Sequence, residues 1–103
     1  LVGAANELNS NIIHAPSSIS LQDTGGILFA TFMQSIGFFI TVALPKAPTN
    51  ITCNNGKYYD GSWKSFTISS FRMAGSTCII TITSSQNPSP GNYGVQGTLN
   101  LTY

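Results

Sequence analysis

The sequence predicts an all-β domain, an antiparallel β-sandwich of about seven strands. Three observations carry this. From Tyr93 the residues alternate strictly, with Tyr93, Val95, Gly97, Leu99, Leu101 and Tyr103 against Gly94, Gln96, Thr98, Asn100 and Thr102, the period of two that lays one face of a strand on a core. Pro, Gly, Asn and Ser recur about every eight to twelve residues, the spacing of short strands in sandwiches and barrels. Helix start and stop signals are nearly absent.

Taken in order, residues 1–16 read as an N-terminal arm or linker and 17–103 as a single domain. In the arm Ala4, Ala5, Glu7 and Leu8 tolerate a helix, Asn9, Ser10 and Asn11 break it, and Pro16 turns its neighbour toward extended backbone. Three readings stay open for it: a frayed end, a linker, or a strand donated to a neighbouring subunit. The start at Leu1 is read as a processed product or a domain of a longer chain. Ile19 and Leu21, alternating with Ser18, Ser20 and Gln22, form the first strand. Residues 26–44 carry no charge and are long enough to cross a bilayer. Gln34 and Ser35 at the centre, Gly37 after them, and the richness in Thr, Ile, Val and Phe favour strands instead, and no cationic cluster flanks the segment. We therefore read strands at about 27–33 and 36–44, joined by a tight turn near Gln34, Ser35 and Gly37. Apolar on both faces, they are expected to be central and covered on each side, one side by another chain. Residues 50–53 end a strand before an Asn54-Asn55-Gly56 turn. Phe66, Ile68 and Phe71 mark a strand after Trp63, and Cys78, Ile80 and Ile82, opposed by Ile79, Thr81 and Thr83, mark another.

Composition narrows the function. Lys46, Lys57, Lys64 and Arg72 face Glu7, Asp23 and Asp60, where an average soluble domain is roughly a quarter charged. Four scattered cations cannot neutralise a run of phosphates, so nucleic acid is not an expected partner. His14 is the sole imidazole and the three carboxylates are dispersed, which argues against a metal site, a cofactor or catalysis. Cys53 and Cys78, with 24 residues between them, predict a disulfide worth about 3 kcal/mol in the chain-entropy model and an oxidising compartment. The other reading is two buried thiols acting as small apolar residues.

Residues 54–64 gather the only Trp, two adjacent Tyr, two Lys and one Asp between turn residues. Tyr58, Tyr59, Asp60 and Trp63, with Lys57 and Lys64 at the rim, are the candidate binding residues: aromatic faces pack on the apolar side of a ligand while polar groups fix its orientation. The stronger rival reading has Trp63 filling the core beside the disulfide with one Tyr packed on it. Asn50-Ile51-Thr52 and Asn100-Leu101-Thr102 match the N-glycosylation acceptor pattern, which has meaning only in a eukaryotic secretory route.

Pro90-Gly91-Asn92-Tyr93 followed by residues 97–103 resembles the closing strand of bacterial fimbrial subunits of the chaperone-usher type. The resemblance covers about fourteen residues. It implies an incomplete immunoglobulin-like sandwich completed by a neighbour's strand, a jelly-roll-like arrangement being the other expected form. A C-terminal adhesive domain of another pilus protein, type IV minor pilins included, fits equally. The expectation is an extracellular pilus or fimbrial adhesin domain or subunit on the bacterial surface. It would act by binding neighbouring subunits or itself and a host or cell-surface glycan or protein, without catalysis, cofactor or membrane span. The alternative is a secreted or phage-borne, oligomeric, glycan-binding lectin-like domain; a purely structural assembly module is the third reading.

Overall fold

A computed structural model describes residues 15–22 and 29–103. Eight strands form: β1 (Ser18–Ser20), β2 (Phe29–Met33), β3 (Gly37–Ala43), β4 (Asn50–Tyr59), β5 (Trp63–Ser65), β6 (Thr67–Ala74), β7 (Thr77–Thr83) and β8 (Gly91–Thr102). All pairings are antiparallel, in the order β5-β4-β8-β2-β3-β7-β6, with β1 added to β8 off this path. The all-β expectation holds. The strands form one continuous hydrogen-bonded path curled as a half-barrel.

β8 makes the curl. Along one edge it pairs with β4, from Val95↔Tyr58 to Thr102↔Asn50. Along the other it pairs first with β2, Phe32↔Gly91 to Phe29↔Gly94, and then with β1, Ser20↔Thr98 to Ser18↔Asn100. The chain also crosses between the two ends of the path at one residue, Phe66, which separates β5 from β6 and donates its N–H to the Gly56 carbonyl at 3.0 Å.

The core lies inside the curl, as the alternation required. Val95, Leu99 and Leu101 of β8 meet Phe38, Ile40 and Val42 of β3 and Cys78, Ile80 and Ile82 of β7, with Leu21, Ile51, Tyr58 and Phe66 closing the sides. Phe38 is the hub of an aromatic cluster, its ring 4.9 Å from Tyr58, 6.0 Å from Phe32 and 6.3 Å from Tyr93, all edge-on. Such pairs each add about 0.5–1.5 kcal/mol beyond the area they bury. No polar side chain among the described residues is fully buried.

Residues 29–44 form β2 and β3, with Ile36 N–H bonded to the Met33 carbonyl at 3.0 Å across the turn. No helix among the described residues is long and apolar enough to cross a membrane. Both strands are central, as expected, and this chain itself covers one side of β3. On β3 Phe38, Ile40 and Val42 are buried while Thr41 and Ala43 are exposed. The Asn54-Asn55-Gly56 segment is not a turn. β4 runs through it as a bulge, the register slipping between Asn54 and Lys57 and Asn55 taking a left-handed φ of 55°. The residues suited to a turn here kink a strand.

The expected Cys53–Cys78 disulfide is absent: both thiols are free, Cys53 half-buried and Cys78 fully buried. Cys53 pairs with Leu99 on β4 and β8, whereas Cys78 pairs with Val42 and Met73 on the far side of the path, so β8, β2 and β3 intervene. Burial pushes both thiols above their ordinary pKa, a hydrogen bond with the Thr98 backbone partly offsetting this at Cys53. The thiols serve as small apolar residues. Most of the 1–16 arm, with Glu7 and His14, and the expected strand start at Ile27 and Leu28 fall outside the described residues, as does Asp23.

Candidate functional site

The strand directions place one end of the molecule apart. β2 and β4 both run antiparallel to β8, so their last residues, the turn at 34–36, the hairpin at 60–62 and the start of β8 share one end of the sheet. Pro16 and Tyr103 lie at the other end, where the Tyr103 hydroxyl donates to the Pro16 carbonyl at 2.8 Å. Among the described residues the exposed large apolar side chains are Met33, Ile36, Tyr59 and Trp63. All four belong to the first end.

The β4–β5 hairpin carries the candidates named from the sequence and sorts them by alternation. Tyr58 points inward and is only 1% exposed. Its hydroxyl shares a hydrogen bond with Ser84 Oγ at 2.8 Å and donates to the Gln86 carbonyl at 3.1 Å, fastening the 84–90 link to the core. It therefore supports the site from beneath and is withdrawn from the contact surface first assigned to it. Tyr59 and Trp63, a cross-strand pair, stand on the outer face at 49% and 47% exposure, with ring centroids 5.3 Å apart and planes at 71°. Trp63 is thus a surface residue, not the core residue of the other sequence reading, because its ladder partner is Tyr59, which alternation turns away from the buried side of Tyr58. The Asp60 N–H donates to the Ser62 carbonyl at 3.0 Å and closes the hairpin. Asp60 also pairs with Lys64, Oδ2 to Nζ at 3.4 Å. An exposed pair of this kind contributes roughly 0–1 kcal/mol, and its chief effect is to cancel charge beside the aromatic pair. Lys57 is half-buried between Gln96 and Ser65.

Met33 and Ile36 were missed by the sequence reading of the site. They were legible only as members of apolar strands, and nothing in their spacing told that the curl stops short of them. Beside Met33 an open depression is lined by Thr31, Phe32, Gln34, Ser35, Pro90 and Gly91. No group of three or more His, Cys, Asp or Glu stands together among the described residues. Compared with protein families, with curated proteins and with solved structures, the chain matches none.

Proposed function

We propose that the chain is an extracellular attachment domain of the pilus or fimbrial kind, working by binding and assembly without catalysis. The observation that carries this reading is the exposed Tyr59–Trp63 pair, set on a short hairpin at the end of the sheet away from Pro16 and Tyr103. Half-exposed aromatic pairs are costly to leave wet and are common anchors of recognition sites. The charge-poor, Thr- and Asn-rich composition supports a place outside the cell. Under this reading the curled sheet is an open immunoglobulin- or jelly-roll-like sandwich. The outer edge of β6, unpaired among the described strands, is then where a neighbouring subunit adds a strand.

The test is Trp63→Ala. Loss of retention on a glycan array and on cell-surface protein, with an unfolding midpoint displaced by no more than about 1 kcal/mol, is the expected result, since a core aromatic would cost about 3–5 kcal/mol. Unchanged retention of the variant sinks the reading.

A further inference from the structure

The aromatic pair is the end of a longer surface. Residues opposite one another in an antiparallel ladder share a face, and so do residues two apart on a strand. Tyr59 therefore lies on the same side of the sheet as Lys57, whose ladder partners are Gln96 and Ser65. Two residues further along β8 is Thr98, flanked by Asn54 on β4 and Ser20 on β1. Beyond the bulge this outer face becomes a cleft of about 250 Å³ between Ser20, Gln22, Asn54, Asn55, Gln96 and Thr98. From the level of Tyr59 to that of Thr98 is roughly 13 Å at the rise of a strand.

The chemistry of this face is unusually uniform. Every side chain lining the cleft is a carboxamide or a hydroxyl, and each of these groups both donates and accepts hydrogen bonds. Along the rest of the face Lys57 is the one cation among the described residues, since Lys64 pairs with the inward-facing Tyr58 and its charge is met by Asp60. Among the described residues an anionic ligand would find too few cations and a cationic one no unpaired carboxylate, and an apolar one would strand the amides without partners. A neutral polyol satisfies them all. The cleft is also smaller than the 300–1,000 Å³ or so of a complete small-molecule pocket, so it holds part of a ligand whose remainder lies elsewhere, and the nearest exposed apolar platform is Tyr59 with Trp63.

We propose that this face binds a neutral oligosaccharide stretched along β4 and β8, one sugar ring packed on Tyr59 and Trp63 and later units hydrogen-bonded in the carboxamide cleft. The inference deepens the attachment reading and rests on it. Two good hydrogen bonds in the cleft raise affinity about tenfold for a ligand long enough to reach them.

Trp63 is the sole tryptophan, so its emission reports arrival of a ligand at the aromatic pair. The probes are disaccharides and hexasaccharides of the malto-, cello- and manno- series, titrated into the whole chain at low and high salt. In at least one series the hexasaccharide is expected to bind about tenfold more tightly than the disaccharide, independently of salt. The Asn54→Ala/Gln96→Ala variant should lose that advantage while binding the disaccharide as before. Gln22→Ala, at an exposed position outside any strand, gives a second reading of the cleft should the first variant unfold. Equal affinity for short and long probes, or full hexasaccharide affinity in these variants, overturns the inference and leaves the hairpin reading standing. Failure of every neutral probe, with Trp63→Ala still abolishing retention on a protein or a charged glycan, does the same. Retention that survives Trp63→Ala removes the hairpin reading, and with it this inference.

Discussion

Gly97→Ala tests the account of β8 most directly. Gly97 sits where β8 faces the β4 bulge, with φ of +123°. A Cβ built there lies 2.9 Å from the Asn54 carbonyl oxygen, 2.9 Å from Gly56 Cα and 3.0 Å from the Asn55 carbonyl oxygen. All three are backbone atoms, so no side chain can swing aside and relief must come from parting β4 and β8. The dihedral strain is of order 1–3 kcal/mol and the crowding about 1–3 kcal/mol more. Gly75, in the β6–β7 turn, supplies the control: its φ is +64° and a Cβ there meets nothing within 4 Å, so Gly75→Ala costs about 1–2 kcal/mol. Both substitutions restrict the unfolded chain by the same amount, so that contribution cancels and their difference reports the backbone contacts of Gly97 together with the greater strain of its φ. That difference is about 3 kcal/mol, or roughly 1–3 M in urea midpoint at the slope of a small domain. Equilibrium urea unfolding followed by circular dichroism measures it. Coincident midpoints for the two variants would refute the close approach of β8 to the bulge.

Three further outcomes are expected. Tyr58→Phe removes the hydroxyl bonded to Ser84 and Gln86 and should cost about 1–2 kcal/mol in urea unfolding, with retention on ligand unchanged. Alkylation in denaturant without reductant should add two groups per chain, one at Cys53 and one at Cys78; an intact mass lacking both contradicts the free thiols. The domain should also lose stability in alkali. The Cys53 and Cys78 thiols are pushed up by burial, and the Tyr103 phenol by burial first and by negative charge at Cys78 second. The unfolded chain therefore releases these protons at lower pH than the folded one. The stability is whole below pH 9 or so, where a free thiol begins to ionise, and falls as pH rises through the folded values. Urea midpoints from pH 7 to pH 11 should show the decline, and Cys78→Ala should soften it.

Much of the fold was legible because burial follows local alternation. The rows Val95, Leu99, Leu101 and Cys78, Ile80, Ile82 are buried in the structure, and the β2–β3 turn falls at Gln34, Ser35 and Ile36. What stayed hidden depended on distant strands. Asn54-Asn55-Gly56 has the composition of a turn, and only the ladder to β8 shows it to be a bulge inside a ten-residue strand. Cysteine spacing said nothing of the three strands that separate Cys53 from Cys78. The site was half legible. Tyr59, Asp60, Trp63 and Lys64 are together on the hairpin, but the inward turn of Tyr58 depends on register. The carboxamide face was written in the polar half of the β8 alternation, whose partners on β1 and β4 no local pattern could identify.

β1, β2 and β4 share a single partner, and it is the strand made after all of them. While residues 91–102 are still inside the ribosome, the hairpins β2–β3, β4–β5 and β6–β7 have what they need, but no ladder joins β2 to β4 or holds β1. The ladders of β8 to β1 and β2 are the most distant pairings in sequence and so close last. Until then the β1, β2 and β4 edges that β8 will cover stay open, and the curl closes only once residues 91–102 are free to pair.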